Sequence, residues 1–179
     1  DVSSHIATFS PNGQKLAYYT VDKKIAILNL VDKSKKFFAI SPVATYTSGI
    51  VWDKNNSSIY YLNGDRGQIL KLNTEDGSSS VVYENKEKLE IRKIGLTLNS
   101  LKLVFILNDS LPPKNLYSNF GNEYLFLQNL ADAKVEKYLL ESNSNRSFIR
   151  SILQFEFLII YIIMKKRTGI LMTLPFHEK

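Results

Sequence analysis

FSPNGQKLAYYTVDKKIAILNL, residues 9–30, sets an apolar aromatic beside a Ser-Pro-Asn-Gly turn and follows it with two strand-like runs. Pro11 presets φ near about −65° at the first corner of a type I turn, and Asn12 tolerates the second. Gly13 supplies the positive φ that rejoins the strands with matched twist. Residues 9–20 therefore read as a hairpin, and the fold depends on whether that hairpin stands alone or recurs.

It recurs at a step of about 43 residues, which lays residues 6–30 over residues 49–72. Phe9 meets Trp52, Leu16 meets Ile59, Tyr18 meets Tyr61 and Leu28 meets Leu70. DKNNSS (residues 53–58) repeats the turn with Asn in place of Gly. A further step brings IGLTLNSLKLVFIL (94–107) onto the template, with Leu96, Leu103 and Phe105 at the apolar positions and Asn99-Ser100 at the turn. Its third strand follows late, as YLFLQNL (124–130), after an extra loop, NDSLPPKNLYSNFGN (108–122). A fourth copy falls on SILQFEFLIIYIIM (151–164) and KKRTGILMTL (165–174). Ile159 and Tyr161 take the places of Leu16 and Tyr18, but the first turn has lost its Pro, Asn and Gly.

Short fourth strands close the copies at KFFAI, SVVYE and VEKYLL. Four strands in each repeat of this length is the period of a β-propeller blade. The predicted fold is all-β, a β-propeller of about four recognisable four-stranded blades at residues 5–41, 47–84, 90–141 and 147–179, the last incomplete. The strands alternate only loosely, as expected of blades stacked face to face with both sides of the inner strands covered. A missing outer strand leaves an open edge. That implies a fragment of a larger propeller, or a chain that self-associates or uses a partner to cover the edge.

Composition agrees. Of 179 residues, 44% are hydrophobic and 12% aromatic, enough for a core, and ten Tyr with ten Phe suit pleated surfaces better than helices. The absence of Cys excludes thiol catalysis, disulfides and Cys-ligated metal centres. A formal charge of +6 favours anionic contacts but is also ordinary solubility. No charged-then-apolar leader precedes Asp1, so a signal peptide is expected to be absent or already removed. Residues 151–164 as a helix would reach only about 21 Å against a hydrocarbon core of about 30 Å, and they carry Gln154 and Glu156, so no transmembrane span is expected.

Residues 9–30 resemble the first three strands of a WD-repeat blade and, at least as closely, the TolB-like propeller repeat, in which F-S-P-[DN]-G precedes an I/L-A-[FY] strand. Asp22 and Asp65 fall where WD-repeat blades place an Asp in the turn before the third strand, a role in holding backbone amides. The naming Trp-Asp dipeptide would fall at Leu28-Asn29 and Gln128-Asn129, and neither matches. The resemblance implies a rigid platform for partners.

No local motif for hydrolase, dinucleotide or nucleotide chemistry occurs, and His5 and His177 share no metal-ligand spacing. Neither a catalytic residue, a metal site nor a cofactor is expected. NGDRG (63–67) and NTEDGSS (73–79) carry hard oxygen donors but lack the ligand order of a calcium loop and read as hairpins. The loops after the second and fourth strands share one face of each blade. A basic rim of Lys23, Lys24, Arg66, Lys114, Lys165, Lys166 and Arg167, joined by Arg146 and Arg150, is expected there, diluted by Asp22, Asp65, Glu84 and Glu87. Leu111, Pro112, Pro113, Tyr117 and Phe120, in the extra loop on that face, form an apolar set suited to a protein or peptide partner. The aromatics are otherwise committed to strands, which disfavours nucleic acid as the partner. The function expected is a noncatalytic interaction scaffold. The alternatives are the propeller of a prolyl-oligopeptidase-like serine peptidase or a TolB-like periplasmic propeller.

Overall fold

The structure is a computed structural model describing residues 2–40, 49–63, 67–86, 90–97, 99–108 and 123–140. Among them are twelve strands and no helix. The first sheet holds β1 (Val2–Phe9), β2 (Lys15–Thr20), β3 (Lys24–Asn29) and β4 (Lys35–Ala39). The second holds β5 (Ile50–Trp52), β6 (Ser58–Leu62), β7 (Gln68–Asn73) and β8 (Ser79–Glu84). The third holds β9 (Glu90–Leu96), β10 (Lys102–Asn108), β11 (Glu123–Asn129) and β12 (Val135–Leu140). Each is an antiparallel meander in chain order. These are β-propeller blades, and among the described residues they do not close into a ring. Residues 147–179, assigned to a fourth blade, lie outside the described residues, as do residues 151–164 within them.

The turn chemistry repeats as the sequence requires. Gly13 N–H donates to Ser10 O at 2.8 Å, Asn56 N–H to Asp53 O at 3.2 Å and Ser100 N–H to Thr97 O at 2.7 Å. The donor residue is left-handed each time, with φ of 70°, 59° and 55°. Ser10, Asp53 and Thr97 also accept the N–H of Lys15, Ser58 and Lys102 on their side-chain oxygens. One short polar side chain thus pins both strands of each hairpin.

A second repeated clasp closes the third and fourth strands. Asn29, Asn73 and Asn129 accept the N–H of Val31, Glu75 and Ala131 on Oδ1, each at 2.9 Å. Three residues on, Asp32, Asp76 and Asp132 accept the N–H of Ser34, Ser78 and Lys134. The next residue is again left-handed, at Lys33, Gly77 and Ala133. NTEDGSS is accordingly a hairpin whose carboxylate faces its own turn.

The register corrects one pairing. Leu16 sits opposite Leu28, and its counterpart Ile59 sits opposite Leu72, so Leu28 corresponds to Leu72 and not to Leu70. The connection between β6 and β7 is longer than that between β2 and β3, which displaces the third strand relative to a fixed step.

The core lies between blades. Ala17, Tyr19, Ile25 and Ile27 on the forward face of blade one meet Ile50, Trp52, Ile59, Tyr61 and Leu72 on the rear face of blade two. Tyr60, Leu62 and Ile69 on the forward face of blade two meet Ile91, Ile94, Leu96, Leu103, Phe105, Leu107 and Phe126 of blade three. Tyr83 and Phe126 flank the Phe105 ring, with centroids 4.3 and 5.2 Å away. Strand β6 is buried at every position, so it reads as a continuous apolar run and not as an alternating one.

Candidate interaction surface

Two ends of the blade array are chemically distinct. At one end lie the hairpins after the first and third strands, whose Ser, Thr, Asn and Asp side chains are consumed by their own backbones. Turns there also grip one another: Asn56 Oδ1 accepts Asn12 N–H at 3.0 Å, and Ser100 Oγ accepts Lys54 N–H at 3.0 Å. This end is a stiff seam between blades.

The opposite end carries the connections after the second strands. In blade one Thr20 Oγ1 accepts Lys24 N–H at 3.0 Å. In blade two Asn63 Oδ1 accepts Gln68 N–H at 3.0 Å, while its Nδ2 donates to Gln68 Oε1 at 3.1 Å. Blade three places apolar Leu107 at the corresponding position. Its paired strands continue to Asn108 opposite Glu123, so residues 109–122 join them at this end. A tight side-chain pin is replaced by a long connection in blade three.

Asp22 departs from its expected role. Thr20, not Asp22, holds the amide that starts the third strand, because it ends β2 with its hydroxyl beside Lys24 N–H. Asp22 instead takes the Lys24 ammonium at 2.6 Å. That contact, with help from the Thr20 hydroxyl, holds its carboxyl at about 2. Of the expected basic rim, Lys23 and Lys24 fall within the described residues, and Lys24 is committed to Asp22. Lys23 is exposed in the left-handed corner of the turn. Arg66, Lys114, Arg146, Arg150, Lys165, Lys166 and Arg167 lie outside the described residues, as do Leu111, Pro112, Pro113, Tyr117 and Phe120.

A second surface, not anticipated from sequence, is the rear face of blade one. Tyr18, Thr20, Val21, Asp22, Lys35 and Phe37 line an open cleft of about 370 Å³ there. Val21 and Phe37 are 63% and 57% exposed, and Phe9, on β1 at the opposite edge of the sheet from Phe37, is 55% exposed. The signal was present in the repeat: Phe9 occupies the position at which Trp52 is buried in blade two. Among the described residues no three His, Asp or Glu side chains gather as a metal site, and no helix is long and apolar enough to cross a membrane.

No protein-family profile and no curated protein matches this sequence. Solved structures do match the fold, and they are β-propellers. Oligogalacturonate lyase from Vibrio parahaemolyticus superposes with a TM-score of 0.61 at 16% identity, over 75% of this chain and 39% of that one. TolB from Acinetobacter baumannii gives 0.56 at 16% identity, over 76% and 32%. The Swd1 β-propeller domain of Myceliophteria thermophila gives 0.52 at 12% identity, over 83% and 43%. The chain thus spans about a third to two fifths of the propellers it matches. At 12–16% identity these likenesses show the fold alone.

Proposed function

We propose that this chain is a noncatalytic interaction scaffold whose blades hold the connection after strand β10 rigidly at one end as a partner-binding element. The observation that carries the reading is the break in the turn pattern. Blades one and two pin their second connections with Thr20 and Asn63, whereas blade three substitutes Leu107 and leads into residues 109–122. Long connections on rigid scaffolds commonly bind. Leu111, Pro112, Pro113, Tyr117 and Phe120 supply apolar anchors of limited conformational freedom, the chemistry of a protein or peptide contact. Lys23, Arg66 and Lys114 add charge around it, with Lys165, Lys166 and Arg167 contributing if the last repeat follows the same course.

Deleting residues 110–121 tests the reading. A phage-displayed random peptide selected on the immobilised chain should lose binding to the deletion variant while its far-UV circular dichroism keeps the β signature. Unchanged binding by the folded variant refutes the assignment. A single-stranded RNA 20-mer, titrated at low and moderate salt, separates this reading from a nucleic-acid platform. Salt-dependent RNA binding would favour the platform.

A further inference from the structure

Strands β10 and β11 are buried on both faces. Leu103, Val104, Phe105, Ile106 and Leu107 follow one another, and each is at most 4% exposed. Leu125, Phe126 and Leu127 beside them are at most 8% exposed. Leu103, Phe105, Leu107 and Phe126 form the rear face, against blade two. Side chains alternate along a strand, so Val104 and Ile106, opposite Leu127 and Leu125, lie on the forward face. Among the described residues blade three is the last of the array, and no described blade lies on that face. A strand that is apolar and buried throughout is one covered on both sides, as β6 is between blades one and three.

We infer that the forward face of blade three is the docking face for residues 151–164 of this same chain, which cover it as the first strands of a further blade. The turn register makes Val104 and Ile106 the counterparts of Ala17 and Tyr19, with Leu127 and Leu125 in the places of Ile27 and Ile25. On blade one that set receives the rear face of the next blade, with Ile50, Trp52, Ile59 and Tyr61. SILQFEFLIIYIIM offers the matching pattern, with Ile159 and Tyr161 in the places of Ile59 and Tyr61. The spacing agrees as well: residues 40–49 join blade one to blade two, and residues 141–150, equal in number, separate β12 from Ser151. The connection at 109–122 fits the face less well. Pro112-Pro113 removes two backbone donors in succession, and Asp109, Lys114, Asn115 and Asn119 interrupt its apolar residues.

Docked in this way, the strand holding Ile159 and Tyr161 runs in the direction of β10. Lys165, Lys166 and Arg167 then follow it at the end of the array that carries the connection after β10. The docking uses a blade face and not that connection, so it stands independently of the loop-borne binding proposed above.

Photocrosslinking in the full chain tests it. Gly95 sits opposite Val104, and nothing lies within 4 Å of where its Cβ would stand. Because the chain has no Cys, Gly95→Cys can be labelled in urea with benzophenone maleimide, refolded, irradiated and digested with trypsin, which releases residues 151–165 as one peptide. Intrachain crosslinks into that peptide are expected. Crosslinks confined to residues 109–122, crosslinks between two chains, or none beyond blade three would overturn the inference. Ile159→Asp with Tyr161→Asp supplies a second readout on the unlabelled thiol. The maleimide rate of Gly95→Cys should rise at least about tenfold, while Ala17→Cys, buried between blades one and two, should stay protected. An unchanged Gly95→Cys rate in that background would contradict the docking.

Discussion

The indole N–H of Trp52 donates to the carbonyl oxygen of Thr8 at 3.1 Å, across the seam between the first two blades. Burial of a large aromatic is here combined with a directional bond to backbone, so that one side chain sets both how closely and in which register two blades stack. Trp52→Phe keeps most of the packing and removes the donor, and should cost about 1 kcal/mol in urea unfolding. Trp52→Ala leaves a cavity as well and should cost about 3–5 kcal/mol. The sole Trp of the chain also provides the wild-type probe, with emission shifted to the blue in the folded state and moving to the red as the seam opens.

The left-handed corners should respond in opposite directions to Gly and Ala. Gly13 has φ of 70° and Ala133 has φ of 58°. A Cβ in this region is strained by about 1–2 kcal/mol, partly offset by the greater freedom of Gly in the unfolded chain. Gly13→Ala should therefore lower the urea midpoint, although a Cβ there meets nothing within 4 Å, and Ala133→Gly should raise it. Equal and unsigned effects would mean that backbone conformation does not control these turns.

Acid should weaken the fold through exposed carboxylates. The Lys24 ammonium and the Thr20 hydroxyl hold Asp22 at about 2 against an ordinary 3.8. The hydroxyl and amide of Ser34 and of Ser78 lower Asp32 and Asp76, and the Tyr138 hydroxyl with Lys102 lowers Glu136. A depressed folded-state value means the unfolded chain binds protons first. The contribution is therefore fully present above about pH 4 and lost as pH falls through the folded value. The urea midpoint should decline from pH 5 to pH 2, and Asp22→Asn should flatten that part of the decline between about pH 4 and pH 2. High salt should blunt the effect of the Asp22–Lys24 pair, since both groups are exposed.

The stretch from Phe9 to Leu30 was legible because its determinants are local. A Pro and a left-handed Gly fix a turn whatever surrounds them, and the same constraint recurs with Asn56 and Ser100. The Asn-x-x-Asp clasps at Asn29, Asn73 and Asn129 were equally local and could have been found as a spacing. They mark the third strands better than the absent Trp-Asp dipeptide does. The mispairing of Leu28 with Leu70 came from assuming a constant step across connections of unequal length. Contacts between blades, such as Asn56 with Asn12 or Gln128 with Val82 O, depend on tertiary placement and leave no periodic trace. The exposed rear face of blade one was hidden for the same reason. Phe9 resembles Trp52 in sequence, and only the packing distinguishes a covered face from an open one.

Titration calorimetry with a peptide selected on the wild-type chain gives the most direct test of the scaffold reading. A variant carrying Leu111→Ala, Tyr117→Ala and Phe120→Ala should bind at least about tenfold more weakly, while Phe9→Asp, on the separate blade face, should bind as the wild type does. Equal affinity for the triple variant and the wild type would contradict the account, because the connection after β10 would then contribute nothing to recognition.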